Sequence, residues 1–331
     1  MTTVAETRTP LAPAPSHPIA EKPVKFFTPA KPGTKIEGYN VLAEIGRGAA
    51  SIIYLVQDPK TKQVWALKQV QLQGPKDQRF LEQAESEYEV SQKVRNPLIR
   101  HIDRIIKNRV RFVTVSEIIL IMEYVDGVAV ERHPPATFEQ ALDIFIQTAR
   151  GLGHMHGCGY VHADMKPNNI VVNEKGQVKI IDLGQACPVG TVKERIQGTP
   201  DYIAPEQVHR REITPRTDIY NLGASMYWVL TQRYIPTALP KGDSLVGSLD
   251  DQFIEKPTPI EQLNPRVPKK LRDLVMKCVE VDPAKRPSSM FEVVEILSQA
   301  REELRAANAA PDEGTGPEGE APSPGTGATS S

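Results

Sequence analysis

The period of the apolar residues switches once along this chain, near residue 125, and that switch most restricts the folds open to it. Before it, short runs rich in β-branched and aromatic residues alternate with Gly, Pro and Asp: Val41 to Ile45, Ile52 to Gln57, Trp65 to Val70 and Ile118 to Tyr124. Such runs read as strands. One charged stretch among them, Gln78 to Val94, reads as a helix. After Asp126 the period becomes helical. Phe138 to Cys158 sets Leu142, Phe145, Ile146, Ala149 and Leu152 on one face. Asp218 to Leu230 is strongly apolar, as a buried helix requires, while Lys269 to Val279 and Ser288 to Leu304 are amphipathic. The expectation is an α+β fold of two lobes, β-rich then helical, with a cleft between them.

Prolines bound the folded part. Pro10, Pro13, Pro15, Pro18, Pro23, Pro29 and Pro32 interrupt any helix or central strand before residue 37. From Asn308 to Ser331 the chain is mainly Gly, Pro, Ser, Thr and acid, and no basic residue follows Arg305. Neither segment holds enough apolar surface to offset its ordering entropy. The expected organisation is therefore a disordered Pro-rich tail over 1–36, one domain over 37–306, and a disordered acidic Gly/Pro-rich tail over 307–331. Within the domain the lobes are expected at about 37–124 and 126–306.

Charge and cysteine usage narrow the function classes. Lys and Arg total 40 against 41 Asp and Glu. That balance lacks the basic excess of a nucleic-acid binder, so no nucleic-acid partner is expected. Cys158, Cys187 and Cys278 lie far apart with no CxxC pair. This argues against a disulfide framework or structural zinc and fits a reducing compartment. No apolar signal core opens the chain. The most apolar window, Ile118 to Val125, is too short to span a bilayer. The expectation is a cytoplasmic protein without a membrane span. His154 and His156, two apart on a helix, do not face each other and read as ordinary polar residues.

Three segments carry chemistry. In Ile45-Gly46-Arg47-Gly48-Ala49-Ala50-Ser51-Ile52-Ile53, small residues between strands let backbone N–H groups approach phosphate oxygens, although for this motif alone a plain hairpin turn is the stronger account. Lys68 lies within the apolar run Trp65-Ala66-Leu67. There it either meets an anion or snorkels from an edge. Of Glu82, Glu85, Glu87 and Glu89 on the charged helix, one is placed to pair with it. The third segment is His162-Ala163-Asp164-Met165-Lys166-Pro167-Asn168-Asn169, a polar knot before an apolar strand. It is followed by Ile180-Ile181-Asp182-Leu183-Gly184. Asp and Asn oxygens suit Mg²⁺, a hard ion that takes carboxylates and substrate phosphates.

In this order and spacing the motifs resemble the eukaryotic-type protein kinase superfamily, over nearly all of Tyr39 to Leu304. Gly198-Thr199-Pro200-Asp201-Tyr202-Ile203-Ala204-Pro205-Glu206 matches the family's P+1 loop and Ala-Pro-Glu anchor. Asp218 and Gly223 match a buried bracing helix, and Arg286 matches the late arginine that pairs with Glu206. The resemblance implies a two-lobed kinase fold and transfer of the ATP γ-phosphate to Ser or Thr of proteins, with Mg²⁺, or Mn²⁺ as substitute, as cofactor. It implies that Gly46, Gly48 and Ser51 cover the phosphates and that Ile45, Ile53 and Ala66 line the adenine. Lys68 then contacts the phosphates and Glu87, favoured by spacing over Glu82 and Glu85, pairs with it. Met122 is implied as gatekeeper and Glu123 to Val125 as hinge. Asp164 is implied as the base, Lys166 as the neutralising cation and Thr199 as their bridge, with Asn169 and Asp182 on the metal. Lys166-Pro167 and Thr199 resemble the serine/threonine group, and the compact texture is similar to bacterial eukaryotic-like kinases. Dimerisation is open.

Four positions depart from that pattern. Ser51 replaces a third glycine, Leu183 replaces a phenylalanine, and Ser91 stands one turn beyond Glu87 where an apolar spine residue is expected. Ala163 stands where most regulated members carry the arginine that binds a phosphorylated activation loop. Asp182 to Glu206 holds no serine, and its hydroxyls are Thr191, Thr199 and Tyr202. The expectation is activity without activation-loop phosphorylation. A pseudokinase or scaffold is the alternative; members of that kind usually lose the counterparts of Lys68, Asp164 or Asp182, all present here.

Overall fold

The computed structural model describes residues 29–309 except 49, 73, 75–76, 111–113, 238, 240–250 and 252–253. The expected tails over 1–28 and 310–331 lie outside the described residues. Among the described residues, secondary structure begins with strand β1 (Lys35–Ile36), inside the segment expected as tail, where it pairs with the start of β2 (Tyr39–Arg47). It ends with helix α7 (Met290–Ala309), which likewise runs past the expected boundary at 306.

The first lobe is a six-stranded antiparallel sheet. After β1 and β2 come β3 (Ser51–Gln57), β4 (Val64–Gln71), helix α1 (Gln78–Lys93), β5 (Ile102–Val110) and β6 (Thr114–Glu123). The strand order is β1-β2-β3-β4-β6-β5. Alternation along each strand sends side chains to opposite faces. Ile52, Tyr54, Val56, Leu67, Ile119 and Ile121 build one apolar face. Ala66, Val70, Ile118, Leu120 and Met122 build the other, against Leu81 and Ala84 of α1. Lys68 shares the parity of Ala66 and Val70, so it points toward α1 rather than to solvent.

Strand β5 is absent from the sequence-based expectation. Its residues Asp103, Arg104, Lys107 and Arg109 mask the apolar set Ile102, Ile105 and Ile106. It is an edge strand, where a charged outward row is tolerated and guards against edge-to-edge pairing.

The second lobe packs α2 (Phe138–Gly157), α4 (Pro215–Thr231), α6 (Lys269–Cys278) and α7 around one core, with short helices α3 (Pro205–Val208) and α5 (Ile260–Leu263). All five residues expected on the inner face of α2 are buried. Helix α4 is buried nearly all round, as its composition requires. A Cβ at Gly223 would lie 2.5 Å from the Cys278 Cβ, so α4 and α6 meet at a distance that no larger residue allows. Short strands β7 (Val128–Ala129), β9 (Ile170–Val172) and β10 (Val178–Ile180) form one small sheet, and β8 (Tyr160–Val161) pairs with β11 (Cys187–Pro188). These ribbons carry the polar segments toward the first lobe. No helix among the described residues is long and apolar enough to cross a membrane. All three cysteines are free, and burial pushes the Cys278 thiol up to about 12, which keeps it an inert core residue.

Candidate active site

Between the lobes, two hairpins and one helix bring distant residues together. The β2–β3 hairpin closes through Gly48 N–H donating to Ser51 O at 2.8 Å. A Cβ on Gly48 would stand 2.8 Å from Ser51 Oγ, so the tip is open backbone because glycine is there. Behind it, near the end of β2, Ile45 is 44% exposed. Ala66 and Met122 are buried neighbours across β4 and β6. The Glu123 amide donates to His101 O at 2.9 Å, and its carboxylate accepts from Lys179 at 2.9 Å. Val125 follows in the linking segment, half-buried.

Lys68 Nζ donates to Glu87 Oε2 at 2.6 Å, bridging β4 and α1. Glu85 instead pairs with Lys107 at the surface. Burial works against charge on Lys68, yet Glu87 and Asp182 outweigh it and its ammonium titrates above the usual lysine range. Asp182 mirrors this. Burial pushes its carboxyl up, but Lys68, Arg100, His162 and Lys166 together hold it below the usual carboxylate range. Both groups are therefore ionised at neutral pH. The Asp182 backbone is left-handed at φ 66°, a conformation a non-glycine residue adopts only where its surroundings over-determine it. Gly184 N–H reaches back to Asp182 Oδ1 at 3.3 Å.

The loop between β8 and β9 holds the other half of the site. Lys166 Nζ donates to Thr199 Oγ1 at 2.7 Å and lies 3.0 Å from Asp164 Oδ2. The Thr199 hydroxyl donates to Asp164 Oδ1 at 2.8 Å. This triangle fixes both Asp164 oxygens. Asn169, on a single 3₁₀ turn, donates its amide to Asp164 O at 2.8 Å, which orients its carboxamide oxygen. The loop itself hangs on α4: Asp218 accepts from the amides of His162 at 2.9 Å and Ala163 at 2.8 Å.

ATP and Mg²⁺ fit the residues present. The glycine tip offers amides, the apolar wall suits a purine, and a buried lysine suits phosphate. Asn169 and Asp182 supply the few hard oxygens that Mg²⁺ takes alongside substrate phosphates. No group of three His, Cys, Asp or Glu among the described residues is placed to hold a metal unaided. A cleft of about 700 Å³ at the base of the helical lobe is lined by none of these side chains.

Several residues of the site escape a reading of the sequence. His156, expected as an ordinary helix residue, places Nε2 2.8 Å from Asp218 Oδ2 and so helps hold that carboxylate low against burial. Gln207 bonds Ala163 O at 2.8 Å and Gln197 O at 3.3 Å through its amide, while its oxygen accepts from Ala204 N–H and Asn221. Arg100 reaches Glu87 from the segment before β5. Only the apolar-strand context of Lys68 advertised its burial; nothing in the local sequence marks Gln207 or Arg100.

Comparison with known proteins bears on the same residues. A family model for the protein kinase domain matches residues 39–299. The serine/threonine-protein kinase PrkC of Bacillus subtilis is 28% identical over 77% of this chain and 39% of its own length. The serine/threonine-protein kinase pkn2 of Myxococcus xanthus is 32% identical over 64% of this chain and 26% of its own. The chain thus spans well under half the length of the curated relatives it matches. A sheet lobe and a helical lobe, a lysine–glutamate bridge over the cleft and a match running from β2 into α7 converge on one conclusion: the chain belongs to the protein kinase domain family.

Proposed function

We propose that the chain is a serine/threonine protein kinase that transfers the γ-phosphate of ATP to hydroxyls of protein substrates, with Mg²⁺ as cofactor. The observation that carries the reading is the Asp164–Thr199–Lys166 triangle beside the Lys68–Glu87 pair and Asp182. Bound ATP·Mg²⁺ supplies the transferable phosphoryl group. Lys68 holds the phosphates, Asn169 and Asp182 hold the metal, and Gly46, Gly48 and Ser51 cover the nucleotide. Asp164 orients the incoming hydroxyl and accepts its proton. Lys166 offsets negative charge on the group in transit, and the Thr199 hydroxyl, bonded to both, fixes their relative position. Positioning and electrostatics do the work, with no covalent intermediate on the protein. Incubation with γ-labelled ATP, Mg²⁺ and a generic basic protein is expected to label serine or threonine, and chelation of the metal to abolish it. A preparation that binds ATP but labels no protein would favour the scaffold reading.

We further propose that this activity needs no activation-loop phosphate. Ala163 offers no arginine, and the segment it would secure is tied down otherwise. Gln207 joins Ala163 to Gln197, Ile213 N–H donates to Thr191 O at 2.9 Å, and Lys193 Nζ donates to Gln185 O at 2.7 Å. The Thr191 hydroxyl is already engaged with Pro188 O at 2.6 Å. A Thr191→Ala variant is expected to keep kcat/KM within about twofold of the parent, the usual reach of a substitution away from core and site. Loss of most activity would overturn it.

A further inference from the structure

Glu87 is the buried carboxylate on which the Lys68 bridge depends, and lysine satisfies only half of it. Its Oε1 is buried and finds no hydrogen-bond partner among the described residues. Its partner in charge is Arg100, whose Nη2 lies 3.6 Å away, an ion-pair distance rather than a hydrogen bond. The Arg100 side chain is itself only 11% exposed, so solvent screens this contact weakly.

The backbone of Arg100 is fastened to a different element. Its N–H donates to Ile180 O at 2.9 Å, and Ile180 N–H donates to Leu98 O at 2.7 Å. Ile99 and Ile180 form an isolated parallel bridge. Ile180 ends β10, two residues before Asp182. One residue therefore holds the strand that presents Asp182 with its main chain and the helix that presents Glu87 with its guanidinium.

Packing beside this contact is loose. Ser91 lies one turn beyond Glu87 on α1 and is buried, but its hydroxyl turns back to Tyr88 O at 2.9 Å and gives α1 no apolar grip. A cavity of about 100 Å³ remains there, bounded by Ser91, Val94, Ile99 and Arg100.

We propose that Arg100 is a positioning residue: it holds Glu87, and with it α1, against the strand leading to Asp182, so that the Lys68–Glu87 bridge is closed in the nucleotide-free protein. The proposal rests on the kinase reading above for its catalytic consequence, but its structural half stands apart from it. The experiment uses full-length wild type, Arg100→Met, Arg100→Lys and the double variant Ser91→Leu/Arg100→Met. Hydrogen exchange of α1 amides is read without nucleotide, alongside melting, ATP KM and kcat. Arg100→Met is expected to speed exchange across residues 81–93 by roughly tenfold, less than stranding a buried charge would give because Glu87 keeps its Lys68 bond and the Arg100 contact is long. It is expected to raise ATP KM more than it lowers kcat. Arg100→Lys should lie between it and wild type. Leucine at 91 fills the cavity and is expected to recover most of the protection and of the KM. Unchanged exchange in α1, or faster exchange spread evenly over both lobes, would overturn the proposal. A wild type that labels no substrate would count against the kinase reading alone, since the exchange comparison still decides the role of Arg100.

Discussion

An Asp164→Asn variant is expected to lose about 10²- to 10⁴-fold in kcat while its ATP KM and melting temperature stay close to those of the parent. The argument starts from what Asp164 touches. Its Oδ1 accepts from Thr199 and its Oδ2 faces Lys166, both side chains on the substrate side of the cleft. The pair that would hold the phosphates, Lys68 and Glu87, bonds elsewhere. An asparagine keeps the shape and one acceptor, so Thr199 stays bonded and Asn169 still meets the backbone carbonyl of residue 164. What is lost is the negative charge that takes a proton from the incoming hydroxyl. The loss therefore falls on the chemical step and not on nucleotide binding. Thr199→Val should act on the same step with smaller effect, because it loosens Asp164 without removing it. Turnover by Asp164→Asn at the parental rate would remove Asp164 from the mechanism proposed here.

The legible part of the site was the part held together by short stretches of chain. Asp164, Lys166 and Asn169 share one loop, and Asp182 closes the next strand, so their spacing is visible in the sequence. Two-lobed architecture was legible for a similar reason, since periods of two and 3.6 cannot be confused over long runs. What failed to show depends on tertiary placement. Strand β5 reads as charged loop because its edge position, not its composition, makes the charges acceptable. His156 reads as a surface helix residue because Asp218, its partner, is 62 positions away. Arg100 and Ser91 each look ordinary alone; only the fold shows that the cation stands next to the gap left by the serine. The pairing of Lys68 with Glu87 was available through family resemblance, whereas the second cation on Glu87 was not.

Arg286→Met is expected to destabilise the helical lobe by about 3–5 kcal/mol, the range for stranding one member of a buried ion pair. At roughly 2–4 °C per kcal/mol for a domain of this size, the melting temperature should fall by about 6–20 °C. Arg286 and Glu206 are buried and bonded in parallel at 2.7 and 2.9 Å. Without the arginine, the Glu206 carboxylate is left with the Thr217 hydroxyl at 2.9 Å, and the carbonyls of Glu280, Val281 and Arg216 lose the guanidinium. The reverse substitution is not equivalent. In Glu206→Gln the guanidinium retains those three carbonyls and the Tyr220 ring 4.7 Å away, and glutamine still offers one acceptor. Glu206→Gln should therefore cost clearly less than Arg286→Met. The double variant Glu206→Met/Arg286→Met should recover part of the loss, because a buried apolar pair carries no uncompensated charge, although the three carbonyls still lack the guanidinium. Denaturant unfolding of the three variants tests the ordering. Equal losses from the two single substitutions would mean that the pair acts as one charge contact, and that the carbonyl cradle around Arg286 contributes little.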